Sequence, residues 1–136
     1  MSNPRRKILF ICVHNRARSQ MAEGLCKSLL GDQYEAYSAG SEPADQVHPL
    51  AVSCLEEVGI DISQQKPQHI DEFSLEEFSL VIPLCAEEQC PVLPPSVKIE
   101  SWALPDPSTS DGDQLSQFRI TREEIKGRLL ALGKNQ

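Results

Sequence analysis

Hydrophobic and polar positions alternate between two kinds of segment along this chain. Residues 7–12 and 80–84 are apolar and β-rich, and they predict buried strands. Residues 34–38 predict a short strand closed by Ala39 and Gly40, and residues 97–102 predict another. Between them, apolar positions recur at helical spacing. Residues 19–30 place Ala22, Leu25, Cys26 and Leu29 on one stripe and end at Gly31. Residues 48–58 repeat the spacing with Ala51, Cys54, Leu55 and Val58, and stop at Gly59. Residues 71–78 predict a short helix with Asp71 as N-cap. Residues 115–132 predict the closing helix, with residues 133–136 fraying. Residues 41–46 and 104–113 read as polar loops. Strands alternating with helices predict an α/β fold, a parallel sheet covered on both faces with right-handed crossovers.

Composition narrows the class. The 136 residues suffice for one domain, residues 1–136, with a proper core. The net charge of −7 argues against nucleic acid and anionic membrane as partners. No run reaches membrane-span length. Residues 1–6 are polar and basic, and the apolar stretch after them is too short for a signal peptide. Five cysteines, an odd number with no secretion signal, predict a reducing cytoplasm rather than a disulfide scaffold. A monomer is expected.

The chemistry concentrates in the segment from Cys12 to Gln20, between a predicted strand and a predicted helix. A cysteine, five residues, an arginine and a serine describe an oxyanion cradle with a nucleophile at its base. Backbone N–H groups of Val13, His14, Asn15, Arg16, Ala17, Arg18 and Ser19 would point at a tetrahedral anion. The Arg18 guanidinium would hold two of its oxygens as a planar fork. Cys12 would lie beneath the central atom, its thiolate favoured by the same positive field. Because ligands of such sheets sit beyond the carboxyl ends of the strands, Cys12, Cys85 and the Asp106 loop belong to one rim.

The other cysteines divide. Cys26 and Cys54 lie on apolar stripes and are expected to pack as small hydrophobes. Cys85 and Cys90 are separated by four residues. They could approach to disulfide distance, or stand as free thiols at a strand end and in a loop. No completing His or Cys pair supports a metal site, and none is expected. His48 is expected to cap or pack near Pro49, His69 to lie in a polar loop, and His14 to contribute its backbone. Asp106, before Pro107, is the candidate general acid, its pKa raised by the neighbouring oxyanion and thiolate. A plain Asp-Pro turn is the bland alternative.

These motifs together, CVHNRARSQMAEG, the Gly59–Ser63 segment, LCAEEQCPVLPP and the Asp106-Pro107 loop, resemble the arsenate reductases built on the low-molecular-weight protein tyrosine phosphatase fold. The resemblance implies a four-stranded parallel sheet flanked by helices, with arsenate in the loop. It implies that Cys12 attacks arsenic and Asp106 protonates the departing oxygen. Ser19 would hydrogen-bond the Cys12 thiolate and Asn15 would brace the loop. Cys85 would then attack Cys12, Cys90 would attack Cys85, and an external thiol reductant would reduce that pair. The reductant would be thioredoxin or glutaredoxin with glutathione; no tightly bound cofactor is implied. The spacing of Cys85 and Cys90 is shorter than the thioredoxin-coupled branch usually shows. Ala17 stands where that family often has cysteine. Asn15, Glu23 and Ser38 match a potassium site of some members, but Gln68 replaces its carboxylate, and potassium is not predicted.

Two other readings compete. A phosphatase of the same fold would use Cys12, Arg18 and Asp106 through a phosphocysteine, but has no need of Cys85 and Cys90. Its acid loop would also often carry tyrosines where this chain has Pro107 and Ser108. A non-enzymatic anion-binding or thiol-based module is the third.

Overall fold

The computed structural model describes residues 5–86, 93–109 and 112–134. At its centre β1 (Arg6–Cys12) pairs in parallel with β2 (Tyr34–Gly40) on one side and β3 (Leu80–Pro83) on the other. Ile8, Leu9, Phe10 and Ile11 are all fully buried, which explains the unbroken apolar run: both faces of the central strand are covered. Successive side chains separate onto the two faces. Ile8 and Phe10 join the larger core, while Leu9 and Ile11 join a smaller one with Ala39, Phe78, Val81 and Val97.

The expected fourth strand follows the free edge of β3. Val81 N–H donates to the Lys98 carbonyl, Glu100 N–H to that of Val81, and Trp102 N–H to that of Pro83. Val81 and Ile99 form a parallel bridge. The pairing is irregular because Pro83 has no N–H to give to the ladder. With this segment the sheet has the expected four parallel members.

Among the described residues three α-helices flank it: α1 (Arg18–Leu30), α2 (Pro49–Glu56) and α3 (Gln114–Lys134). Their apolar stripes fill the larger core, where Leu25, Cys26, Cys54, Leu55, Phe118, Ile125 and Leu129 meet Ile8 and Phe10. His48 caps α2, its Nδ1 accepting the Leu50 N–H at 3.1 Å. After α2 the chain turns at Gly59, whose φ of 82° favours glycine.

The other face differs from expectation. Residues 71–78 do not form one helix capped by Asp71. They form two 3₁₀ turns, Ile70–Glu72 and Leu75–Glu77, with extended Phe73 between them. The cap is His69: its Nδ1 accepts the Asp71 N–H, and its own N–H donates to the Glu72 carboxylate. The break brings Phe73 and Phe78 both against Tyr37, with ring centroids 5.8 and 5.7 Å away. A continuous helix would splay these rings around its circumference. Fraying from residue 133 is also corrected. The closing helix runs through Lys134, with the Gly133 backbone against the Leu30 side chain; residues 135 and 136 lie outside the described residues.

Cys26 and Cys54 are fully buried in the larger core, as their spacing implies. Burial pushes the Cys26 thiol up to about 12 and the Cys54 thiol up to about 11. Neither should react while the fold is intact. Iodoacetamide at pH 8 is expected to leave both unmodified in the native protein and to alkylate both in denaturant, read by peptide mass mapping. Native-state alkylation of either would contradict this packing.

Candidate active site

β1 ends at Cys12, opposite Gly40 of β2. The chain then wraps through residues 13–17 and enters α1 at Arg18. The loop lies so close to β2 that a Cβ on Gly40 would stand 2.4 Å from the Val13 carbonyl oxygen. Asn15, fully buried, takes a left-handed conformation with φ of 49°, which asparagine tolerates better than most residues.

Every carbonyl of residues 13–17 has a hydrogen-bond donor. Val13 accepts from Glu42 N–H at 2.8 Å, His14 from Ala44 N–H at 2.9 Å, and Arg16 from His48 N–H at 2.8 Å. Asn15 accepts from Gln20 Nε2 at 3.0 Å, and Ala17 from Met21 N–H at 2.9 Å. All described peptides are trans. In a trans peptide the C=O and the following N–H point in opposite directions. With all five carbonyls held by donors, the N–H groups of His14, Asn15, Arg16, Ala17 and Arg18 point away from those partners.

A buried polar network fixes the nucleophile. Asn15 Nδ2 donates to Ser19 Oγ at 2.7 Å, and Ser19 Oγ lies 2.8 Å from Cys12 Sγ. Because Asn15 supplies that donor, the Ser19 hydroxyl proton is free to point at the sulfur. Asn15 Oδ1 accepts from Gln20 Nε2 at 3.0 Å and from Gln68 N–H at 2.8 Å. Arg18 is buried, and its Nη1 donates to the carbonyls of Leu84 at 3.2 Å and Leu104 at 2.8 Å. These bonds aim the guanidinium from the far sheet edge, and its Nη2 lies 3.8 Å from Asp106 Oδ2.

Cys12, His14, Arg16, Ala17, Arg18 and Asp106 line one cavity. Cys85 packs beside Cys12 and Val13 in a small buried cluster. Cys85 is disulfide-bonded, whereas Cys12, Cys26 and Cys54 are free thiols. Cys90 lies outside the described residues.

Asp106 lies on the cavity with its carboxyl held by Ser108. Burial acts to raise its pKa, but the Ser108 hydroxyl and N–H, then Arg18 and Arg16, outweigh burial and hold the carboxyl below its ordinary value.

The site also contains residues that the motif does not mark. The loop read as merely polar, residues 41–46, carries Glu42 and Ala44, whose N–H groups grip the cradle. Glu42 also gives its carbonyl to the His14 ring at 2.9 Å. Gln20 is a second buried brace, held through its Oε1 by Gln65 Nε2 at 2.8 Å. The only sequence signal for either is proximity to the motif and to Gly40. Burial and then Arg16 lower the His48 pKa, favouring the neutral ring that its capping role requires. Of the residues matched to a potassium site, Glu23 accepts from the Ser38 hydroxyl and the Lys27 ammonium, each at 2.5 Å.

Comparisons with known proteins agree with this geometry. The family described as low molecular weight phosphotyrosine protein phosphatase matches residues 7–135. Arsenate reductase 2 of Staphylococcus epidermidis is 47% identical over 124 residues, covering 90% of this chain and 92% of its own. A solved arsenate reductase in its phosphate-binding state superposes with a TM-score of 0.83 at 40% identity, covering 96% of this chain and 98% of its own. The thioredoxin-dependent arsenate reductase of Corynebacterium glutamicum superposes with a TM-score of 0.75 at 32% identity, covering 99% of this chain and 63% of its own. On the match over nearly its whole length, the chain belongs to the low molecular weight phosphotyrosine protein phosphatase family.

Proposed function

We propose that this protein reduces arsenate to arsenite through Cys12 and a relay of thiol–disulfide exchanges. The observation that carries this reading is the second cysteine: Cys85 packs with Cys12 and Val13 in one buried cluster. Hydrolysis of a phosphocysteine needs water at that point, not a thiol. Reduction of arsenic needs an electron pair, which a second thiolate releases. The names and identity of the relatives support the same reading.

The inward N–H groups and Arg18 bind the arsenate oxygens. The Cys12 thiolate, hydrogen-bonded by Ser19, attacks arsenic. An S–As bond forms and an As–O bond breaks, the oxygen leaving as water with a proton from Asp106. Arsenate binding brings negative charge beside the Asp106 carboxylate and raises its affinity for that proton. The Cys85 thiolate then attacks Cys12 Sγ. The S–As bond breaks, its electron pair stays on arsenic, and arsenite departs, leaving a Cys12–Cys85 disulfide. Cys90 attacks Cys85 and frees Cys12. An external dithiol, thioredoxin or glutaredoxin with glutathione, returns the Cys85–Cys90 pair to thiols, consuming one dithiol per arsenate. Because the cycle begins with free thiols, a reducing cytoplasm suits it. The proposal takes the protein as a monomer.

The deciding assay measures arsenite formation with thioredoxin and, separately, with glutaredoxin plus glutathione, alongside hydrolysis of para-nitrophenyl phosphate. Arsenite is expected with at least one donor. Hydrolysis alone would establish the phosphatase reading instead. Cys90→Ser is expected to trap the Cys12–Cys85 disulfide after one turnover, visible by peptide mass mapping; a reduced Cys12 at that point would refute the relay order. Asp106→Asn is expected to slow the first step by about 10²–10⁴-fold, the range of general acid catalysis. An unchanged single-turnover rate would leave Asp106 as a turn residue.

A further inference from the structure

The Asp106 carboxyl is held asymmetrically. Its Oδ1 accepts both the Ser108 N–H at 2.9 Å and the Ser108 hydroxyl at 2.7 Å. Its Oδ2 faces Arg18 Nη2 at 3.8 Å, and both residues line the cavity. The same Ser108 Oγ lies 3.1 Å from Arg16 Nη2. A guanidinium can only donate, so Oγ accepts from Arg16 and its single proton goes to Asp106. Ser108 is thus a two-ended latch between the cradle and the acid loop. Its own carbonyl accepts from Gln114 Nε2 at 3.1 Å, which ties the latch to α3.

This arrangement has a chemical consequence. With Oδ1 occupied by two donors, a proton placed there would displace one of them. A proton on Oδ2 displaces no hydrogen bond among the described residues and meets only the longer ion pair with Arg18 Nη2. Arg16 strengthens the bond by polarising the hydroxyl that Asp106 receives. The charged and titratable groups around Asp106 are Arg18 from α1, Arg16, His14 and Cys12 of the cradle, and His48, whose charge Asp106 favours. None of them hydrogen-bonds Oδ1 among the described residues.

We propose that Ser108 is a positioning residue for the acid step, occupying Asp106 Oδ1 and tying the acid loop to Arg16, so that Oδ2 carries and delivers the proton. The proposal rests on the arsenate reductase reading for its turnover measurements, but not for its titration measurement. It reaches beyond the Cys12 motif to a side chain that joins Arg16 to Asp106.

Two variants test it, Ser108→Ala and Ser108→Thr. First, the Asp106 carboxyl is titrated by ¹³C NMR in the unliganded full-length protein. The midpoint is expected to rise in Ser108→Ala and to return toward the parent in Ser108→Thr. Second, kcat and KM for arsenate are measured in the parent and in the Asp106→Asn background. Ser108→Ala is expected to lower kcat by about tenfold, the scale of one hydrogen bond to a charged group, with KM changing by less than about twofold. In the Asp106→Asn background it is expected to lower kcat no further. An Asp106 midpoint unmoved by Ser108→Ala would overturn the proposal, as would an equal loss of kcat in both backgrounds. A parent protein that forms no arsenite would refute the arsenate reading while the titration still judged the latch.

Discussion

The site depends on peptide planarity. Five successive carbonyls, from Val13 to Ala17, are held by donors, and the rigid trans geometry turns five N–H groups the opposite way. The anchoring groups come from three places: the backbone of residues 42–48, the buried Gln20 side chain, and the first turn of α1. No single anchor makes the cradle. The left-handed Asn15 and the bare Gly40 backbone permit its tight curvature, and the Asn15–Ser19–Gln20 network holds it from within. A loop pinned this way is organised before any anion arrives, so little ordering remains to be done on binding.

This local order resolves an electrostatic conflict. The chain carries a net charge of −7, yet its site must accept an oxyanion. Inward amides, Arg16 and Arg18 concentrate positive potential in a small cavity, where desolvated dipoles count for more than distant surface carboxylates. The Ser108 hydroxyl and N–H, with smaller contributions from Arg18 and Arg16, hold the Asp106 carboxyl below its ordinary value. The acid and its substrate are therefore coupled: the incoming anion supplies the charge that makes the carboxyl a proton donor.

Much of this was legible in the sequence, for identifiable reasons. A central strand buried on both faces reads as an unbroken apolar run, and Ile8 to Ile11 do. Core cysteines at helical spacing read as packing, and Cys26 and Cys54 do. Cys12, Arg18 and Ser19 are tied to the motif by spacing alone. What was hidden follows from interactions that leave no residue-type signature. Glu42 and Ala44 act through backbone N–H groups, which any residue but proline provides. The two 3₁₀ turns arise from the need to seat Phe73 and Phe78 on Tyr37, a tertiary demand that overrode local helical pattern. The state of Asp106 depends on Ser108 and on Arg16, and Arg16 is 92 residues from Ser108 in sequence. Only the fold brings that pair together.

The most direct measurement of the cradle is a titration of ¹⁵N-labelled protein with inorganic phosphate, followed by amide chemical shifts. If the outward-held carbonyls present an anion site, the amides of residues 14–18 and the Arg18 side-chain resonances move together and saturate. Saturable shifts confined to other parts of the molecule, with those amides unmoved, would contradict it.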